Sequence, residues 1–131
     1  MFEQLVIAAK EAYNKAYAPY SNFHVGAAAL TTEGQIVNGC NVENASYGLT
    51  VCAERNCIAQ GVIQGQRKFT ELVVYTEEDV LTPPCGACRQ VIVEFMAQNA
   101  KVYAVNHAGE VKLWSVAELL PDAFTPENLQ K

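Results

Sequence analysis

Two short segments concentrate residues able to do metal and acid–base chemistry: Cys52-Ala53-Glu54 and Cys85-Gly86-Ala87-Cys88. A C-x-x-C pair wrapped around a helix start can place two thiolates on one tetrahedral metal. A third thiolate from another helix start then completes a three-ligand site whose fourth position stays open. Helix N-termini also favour negative charge, which lowers thiol pKa and suits thiolate ligands. Cys52, Cys85 and Cys88 are therefore expected to hold one zinc ion per chain. Cys85 and Cys88 alone fit a redox pair or half of a structural zinc site equally well. The Cys52 segment turns the reading towards a catalytic metal, since a structural site normally closes with a fourth protein ligand. His24 and His107 are the candidates for that closure. Strand alternation sends His24 to the face opposite Phe23 and Val25, and His107 sits in a turn, so both are expected at the surface.

Glu54 by itself would be a solvated first-turn glutamate favoured by the helix dipole. Beside a metal that lowers the pKa of water to about 7, it is placed to carry protons. Three thiolates leave a zinc ion with net negative charge, so Arg55 is expected to compensate from the next position. Asn41 and Glu43 lie two apart at a strand end and can point into one pocket, although taken alone they read first as an ordinary polar loop entry. Phe23 could be simple core. Cys40 and Cys57 fit small buried hydrophobes, and Trp114, Tyr13 and Tyr17 fit packing positions.

The elements that must position these residues follow from periodicity and punctuation. Phe2, Leu5, Val6, Ala9, Ala12, Tyr13, Ala16 and Tyr17 recur at helical spacing ahead of Pro19, which predicts a first helix stopping around Ala18. Strands are expected from Phe23 to Leu30 and from Ile36 to Val42, joined by a hairpin loop at Thr31-Thr32-Glu33-Gly34-Gln35. A loop from Glu43 to Thr50 leads into a helix from about Cys52 to Gln64. A strand from Glu71 to Thr76 is stopped by Leu81-Thr82-Pro83-Pro84 ahead of a helix from about Gly86 to Ala97. Short strands from Lys101 to Val105 and from Glu110 to Trp114 flank a turn at His107-Ala108-Gly109. Val116 to Leu120 then reads as a helix ended by Pro121. The order αββαβαββα implies a layered α/β domain with one mixed sheet, residues 1–131 forming a single unit. Both cysteine segments then open helices at the same end of the layers.

Composition narrows the substrate and the setting. The chain has 131 residues, half of them hydrophobic, and a formal net charge of −5, which offers no basic field for a phosphate backbone. A small molecule is favoured over nucleic acid. Glu3, Lys10 and Glu11 break up the apolar residues of the first segment, so it reads as neither signal peptide nor membrane span. Five cysteines, an odd number, suit metal chemistry in a reducing compartment, which implies the cytoplasm.

Ordered blocks run through nearly the whole chain: Ala18-Pro19-Tyr20-Ser21, Phe23-His24-Val25-Gly26-Ala27-Ala28, Gly39-Cys40-Asn41-Val42-Glu43-Asn44-Ala45, Cys52-Ala53-Glu54-Arg55, Pro84-Cys85-Gly86-Ala87-Cys88-Arg89-Gln90 and Leu119-Leu120-Pro121. In these blocks the chain resembles the small homotetrameric cytidine deaminases. Asn56-Cys57 after Arg55 and the loop Tyr47-Gly48-Leu49-Thr50 depart from the common pattern. The resemblance implies a three-layer α/β/α sandwich with a five-stranded mixed sheet and zinc-dependent hydrolytic deamination of cytidine and deoxycytidine. Glu54, which is not a ligand, would be the proton carrier, as in zinc deaminases generally. It also implies that Phe23, Asn41, Glu43, Ala53 and Glu54 contact the nucleoside, Asn41 and Glu43 at the ribose and Phe23 at the pyrimidine. Phe124 would enter a neighbouring subunit's site in a homotetramer. Three rival readings are a deaminase of another cytosine derivative such as an aminoacyl nucleoside antibiotic, a structural zinc module without turnover, and a nucleic-acid editing deaminase. Phe23 with Asn41-Val42-Glu43-Asn44 speaks against the first, and the acidic composition against the last.

Overall fold

The fold comes from a computed structural model that describes residues 1–129. Four α-helices and five β-strands follow in the order α1 Phe2–Tyr13, β1 Gly26–Thr31, β2 Ile36–Cys40, α2 Ala53–Ile63, β3 Phe69–Thr76, α3 Gly86–Phe95, β4 Met96–Asn106, β5 Val111–Ser115 and α4 Val116–Leu119. Short 3₁₀ turns at Tyr47–Leu49 and Pro126–Leu129 lie outside the expected elements.

The strands form one mixed sheet in the order β2-β1-β3-β4-β5. Only β3 and β4 run parallel, joined through α3, and the other neighbours are antiparallel. Alternation along β1 separates two cores. Ala27 and Ala29 face a cluster with Cys57 and Ile58 of α2, Ile92 of α3, and Val116 and Leu119 of α4. Ala28 faces the opposite cluster, where Leu5 and Ala9 of α1 pack on Val73, Tyr75 and Val105. The result is the expected α/β/α sandwich around a five-stranded mixed sheet, with α1 alone on one face.

Several expected boundaries move, and tertiary pairing accounts for the shifts near the site. The first helix ends at Tyr13, ahead of Ala18, because Tyr17 is taken up in extended pairing: its N–H donates to Asn41 O at 3.0 Å and its carbonyl accepts from Glu43 N at 2.8 Å. β1 begins at Gly26 and not at Phe23, since the Asn41 side chain holds residues 23–25 in place of a ladder. β2 stops at Cys40, and Val42 bridges both Tyr17 and Val51. β3 starts at Phe69, α3 ends at Phe95, and β4 begins at once at Met96, with an irregular register where Phe69 pairs with Met96 and Glu71 with Lys101.

Close packing fixes the level of the metal-bearing helix. A Cβ on Gly39 of β2 would collide with the backbone of Cys57 in α2, so only glycine lets α2 lie this near the sheet. At the other end, Ser115 and Glu118 form a reciprocal capping box that starts α4.

Candidate active site

Cys52 is the N-cap of α2, Cys85 is the N-cap of α3, and Cys88 lies in the first turn of α3. The Cys52 and Cys85 sulfurs are 3.6 Å apart, and those of Cys85 and Cys88 are 3.3 Å apart. All three lie within 4.8 Å of one another, and no other such group occurs among the described residues. Sulfurs bound to one tetrahedral zinc at about 2.3 Å sit about 3.8 Å from each other, so the arrangement fits that ion. Neither His24 nor His107 joins the group. His24 packs beside the Tyr13 ring at 5.7 Å, and His107 lies 3.9 Å from Asp79, so the fourth position is not closed by histidine.

The charges support the same reading. Cys52 is lowered to about 5, chiefly by the hydrogen bond from the Cys88 thiol, with Arg55 and Cys85 adding to it against burial. Cys88 is pushed up, first by that same shared bond and then by burial. Three sulfurs so close cannot all ionise against each other, and a divalent cation between them removes the conflict. Arg55 lies against the cluster, its Nη2 donating to Cys52 Sγ at 3.6 Å.

Glu54 follows Ala53 in the first turn of α2 and is only 4% exposed. Burial pushes its carboxyl up to about 7, and the neighbouring Cys52 thiolate pushes the same way, against Arg55 and its own backbone N–H. A carboxyl poised near neutrality can both take and return a proton. Ala53, between Cys52 and Glu54 in sequence, has no accessible surface and belongs to the core cluster that α2 shares with the sheet.

The loop residues are bound to this centre through backbone. Val42 and Val51 exchange N–H···O bonds of 3.0 Å in both directions, an isolated bridge that sets Asn41-Val42-Glu43 alongside the residue just before Cys52. Glu43 accepts from the backbone N–H groups of Tyr20 at 3.0 Å and Ser21 at 3.2 Å, and also from the Ser21 hydroxyl. The Ser21 hydroxyl is the main reason its carboxyl lies below the usual range. Glu43 lines a cavity of about 420 Å³ with Tyr20, Ser21, Tyr47 and Thr50. Asn41 is 8% exposed, and its amide is a clamp: Oδ1 accepts from Val25 N at 2.9 Å, and Nδ2 donates to Phe23 O at 2.8 Å. The Phe23 it holds is 37% exposed.

Phe124 stands apart from this group. It is exposed, and its carbonyl accepts from Gln90 Nε2 of α3 at 2.8 Å. Ser21, Arg89 and Gln90, which sit in the blocks noted above, also bind this region: Ser21 holds Glu43, Arg89 holds Pro84 and Gln90 holds Phe124. The signal for Arg89 is the Pro83-Pro84 pair, which offers carbonyls and no N–H to hold the second cysteine loop.

Comparison with known proteins gives this geometry its frame. The family model described as "Cytidine and deoxycytidylate deaminase zinc-binding region" matches residues 2–106. The chain belongs to the cytidine deaminase family. The cytidine deaminase of Sporosarcina psychrophila is 46% identical over 127 residues, 97% of this chain and 93% of that protein. That of Halalkalibacterium halodurans is 44% identical over 127 residues, 97% of this chain and 96% of the relative. Among solved structures, a crystal structure of cytidine deaminase from Burkholderia pseudomallei superimposes with a TM-score of 0.90 at 48% identity, covering 95% of this chain and 99% of that one. The match to the zinc-binding region spans Cys52, Glu54, Cys85 and Cys88. With the sulfur geometry it makes this a zinc protein whose three cysteines are positioned to take one ion per chain. Phe124 lies beyond the matched residues.

Proposed function

We propose that the protein deaminates cytidine and deoxycytidine hydrolytically, giving uridine or deoxyuridine and ammonia, and so serves pyrimidine salvage. One observation carries the reading: a buried glutamate, Glu54, directly follows one member of a three-thiolate group that has no fourth protein ligand among the described residues. Relatives at 44% and 46% identity over nearly the whole chain bear the name cytidine deaminase, which supports the substrate.

Bound at Cys52, Cys85 and Cys88, zinc supplies a Lewis acid that makes hydroxide accessible near neutral pH. Glu54 takes the proton from the attacking water and delivers it to N3 of the pyrimidine as the oxygen adds to C4. Glu54 then passes the remaining hydroxyl proton to the exocyclic nitrogen, the C4–N bond breaks, and ammonia leaves with the C4 carbonyl restored. Phe23 packs on the pyrimidine ring, and Glu43 and Asn41 take the ribose hydroxyls. Ala53 forms the pocket floor, and Arg55 offsets the thiolate charge. Residues 1–131 act as one catalytic domain, which assembles as a homotetramer with Phe124 reaching a neighbouring site. Five free cysteines, three of them needed as thiolates, fit a reducing cytoplasm.

The deciding experiment follows the ultraviolet absorbance of cytidine with purified protein of measured zinc content. Absorbance should fall as uridine forms, and Glu54→Gln should keep zinc and fold yet lose roughly 10²–10⁴ in turnover. A flat trace from fully zinc-loaded parent protein would instead mark a structural zinc module.

A further inference from the structure

The two cysteine segments are held in different ways. Cys52 follows Val51, whose backbone is locked to Val42 by N–H···O bonds of 3.0 Å in both directions. Cys85 follows Pro83-Pro84, which has no N–H to give to any neighbour. Among the described residues Thr82 makes only a side-chain hydrogen bond, its hydroxyl 3.4 Å from that of Thr76. Pro84 is fully buried, so its carbonyl needs a donor. Arg89 supplies it: the side chain turns back along α3 and Nε donates to Pro84 O at 2.9 Å. The same guanidinium reaches across to α4, where Nη1 donates to Leu119 O at 3.0 Å. Leu119 is the last residue of α4, so its carbonyl has no partner within the helix. Among the described residues no carboxylate pairs with Arg89. Its Nε and Nη1 donors serve backbone carbonyls at the metal loop and at a helix end.

We propose that Arg89 is a positioning residue of the metal centre, which sets the Cys85 sulfur by tying the Pro84 carbonyl to the C-terminus of α4. The fork geometry is what the position requires. Two carbonyls on different elements are bridged by Nε and Nη1 of one planar group, whereas a lysine ammonium on its flexible stem can hold only one with comparable definition. Freed of this strut, an acceptor-only loop has several positions open to it, and each costs binding energy when Cys85 must return to the metal. The inference rests on the three-cysteine metal assignment and not on the choice of nucleoside.

The test reads metal affinity separately from turnover. Zinc is titrated against a chromogenic chelator for the parent, Arg89→Ala and Arg89→Lys, and cobalt is substituted to record the ligand-field and thiolate charge-transfer bands. Arg89→Ala should bind zinc about 10–100-fold more weakly and give altered cobalt bands, with Arg89→Lys between it and the parent. Thermal melts of the metal-free proteins separate the alternatives, because a purely architectural residue lowers the metal-free melting point without changing the affinity of the folded state. Should Arg89→Ala fail to fold, Arg89→Lys carries the measurement. Parental zinc affinity and parental cobalt bands in the folded variants would overturn the proposal. A parent that binds zinc tightly but leaves cytidine untouched would overturn the substrate reading and leave Arg89 standing.

Discussion

Glu43, proposed to take a ribose hydroxyl, is already hydrogen-bonded to Ser21 and Tyr20. The Ser21 hydroxyl, more than any other group, holds its carboxyl below the ordinary value, with the backbone N–H groups of Ser21 and Tyr20 contributing. A depressed carboxylate keeps its interactions above its unfolded pKa and loses them as pH falls through the folded one. Ribose recognition through Glu43 should therefore persist at acid pH. Ser21→Ala removes the largest cause, so the pH below which KM for cytidine rises should move upward, while zinc content stays unchanged. KM–pH profiles of the two proteins check this, and coincident profiles would detach Glu43 from the sugar. Glu43 is a candidate in the sequence because it lies two residues from Asn41 in a recognisable run. The metal residues were legible for a similar local reason: Glu54 and Arg55 adjoin Cys52, and Cys85 and Cys88 share one helical turn. What stayed hidden works at a distance in sequence. Asn41 serves Phe23 and Val25, and Arg89 serves Leu119, through backbone carbonyls and N–H groups that every residue type presents alike.

The metal site requires α2 and α3 to start side by side, and the level of α2 is set where it touches β2. Gly39 meets the backbone of Asn56 and Cys57 there, and backbone cannot rotate away as a flexible side chain could. Gly39→Ala should therefore lower stability by about 1–3 kcal/mol, the usual cost of overpacking, with a fall in Tm of about 3–10 °C. Because the displaced helix carries Cys52 at its cap, zinc should also leave more readily in chelator competition. A melting curve and zinc retention both equal to the parent's would show that β2 does not set the helix level. The existence and order of the elements were readable from apolar period and proline stops, since those features are local. The ends were not. α1 keeps its helical pattern through Tyr17, yet the chain leaves the helix at Tyr13 because residue 17 gains backbone partners at Asn41 and Glu43. Pairing between segments so far apart in sequence leaves no mark on the side-chain pattern.

At the scale of the whole molecule, the sandwich leaves large apolar side chains uncovered. Tyr47 is 76% exposed, Ile63 81% and Phe124 58%. The Phe124 carbonyl accepts from Gln90, which tethers this exposed segment to the same helix that carries Cys88 and is capped by Cys85. A tetramer would cover these groups, and light scattering should report a mass four times that of the chain. Phe124→Ala should keep its zinc yet lose about tenfold or more in kcat/KM, the scale of one buried aromatic contact at an interface. Loss of activity alone does not say whose site the ring completes. Mixing does. If Phe124 serves a neighbour, a hybrid assembly refolded from Phe124→Ala and Glu54→Gln chains contains sites with Glu54 from one subunit and Phe124 from another. Activity should then rise above that of either variant by itself. If the ring serves its own subunit, each Phe124→Ala chain stays crippled and each Glu54→Gln chain stays inactive, so the hybrid shows only the average of the two. A fully active monomer would remove the assembly from the mechanism altogether.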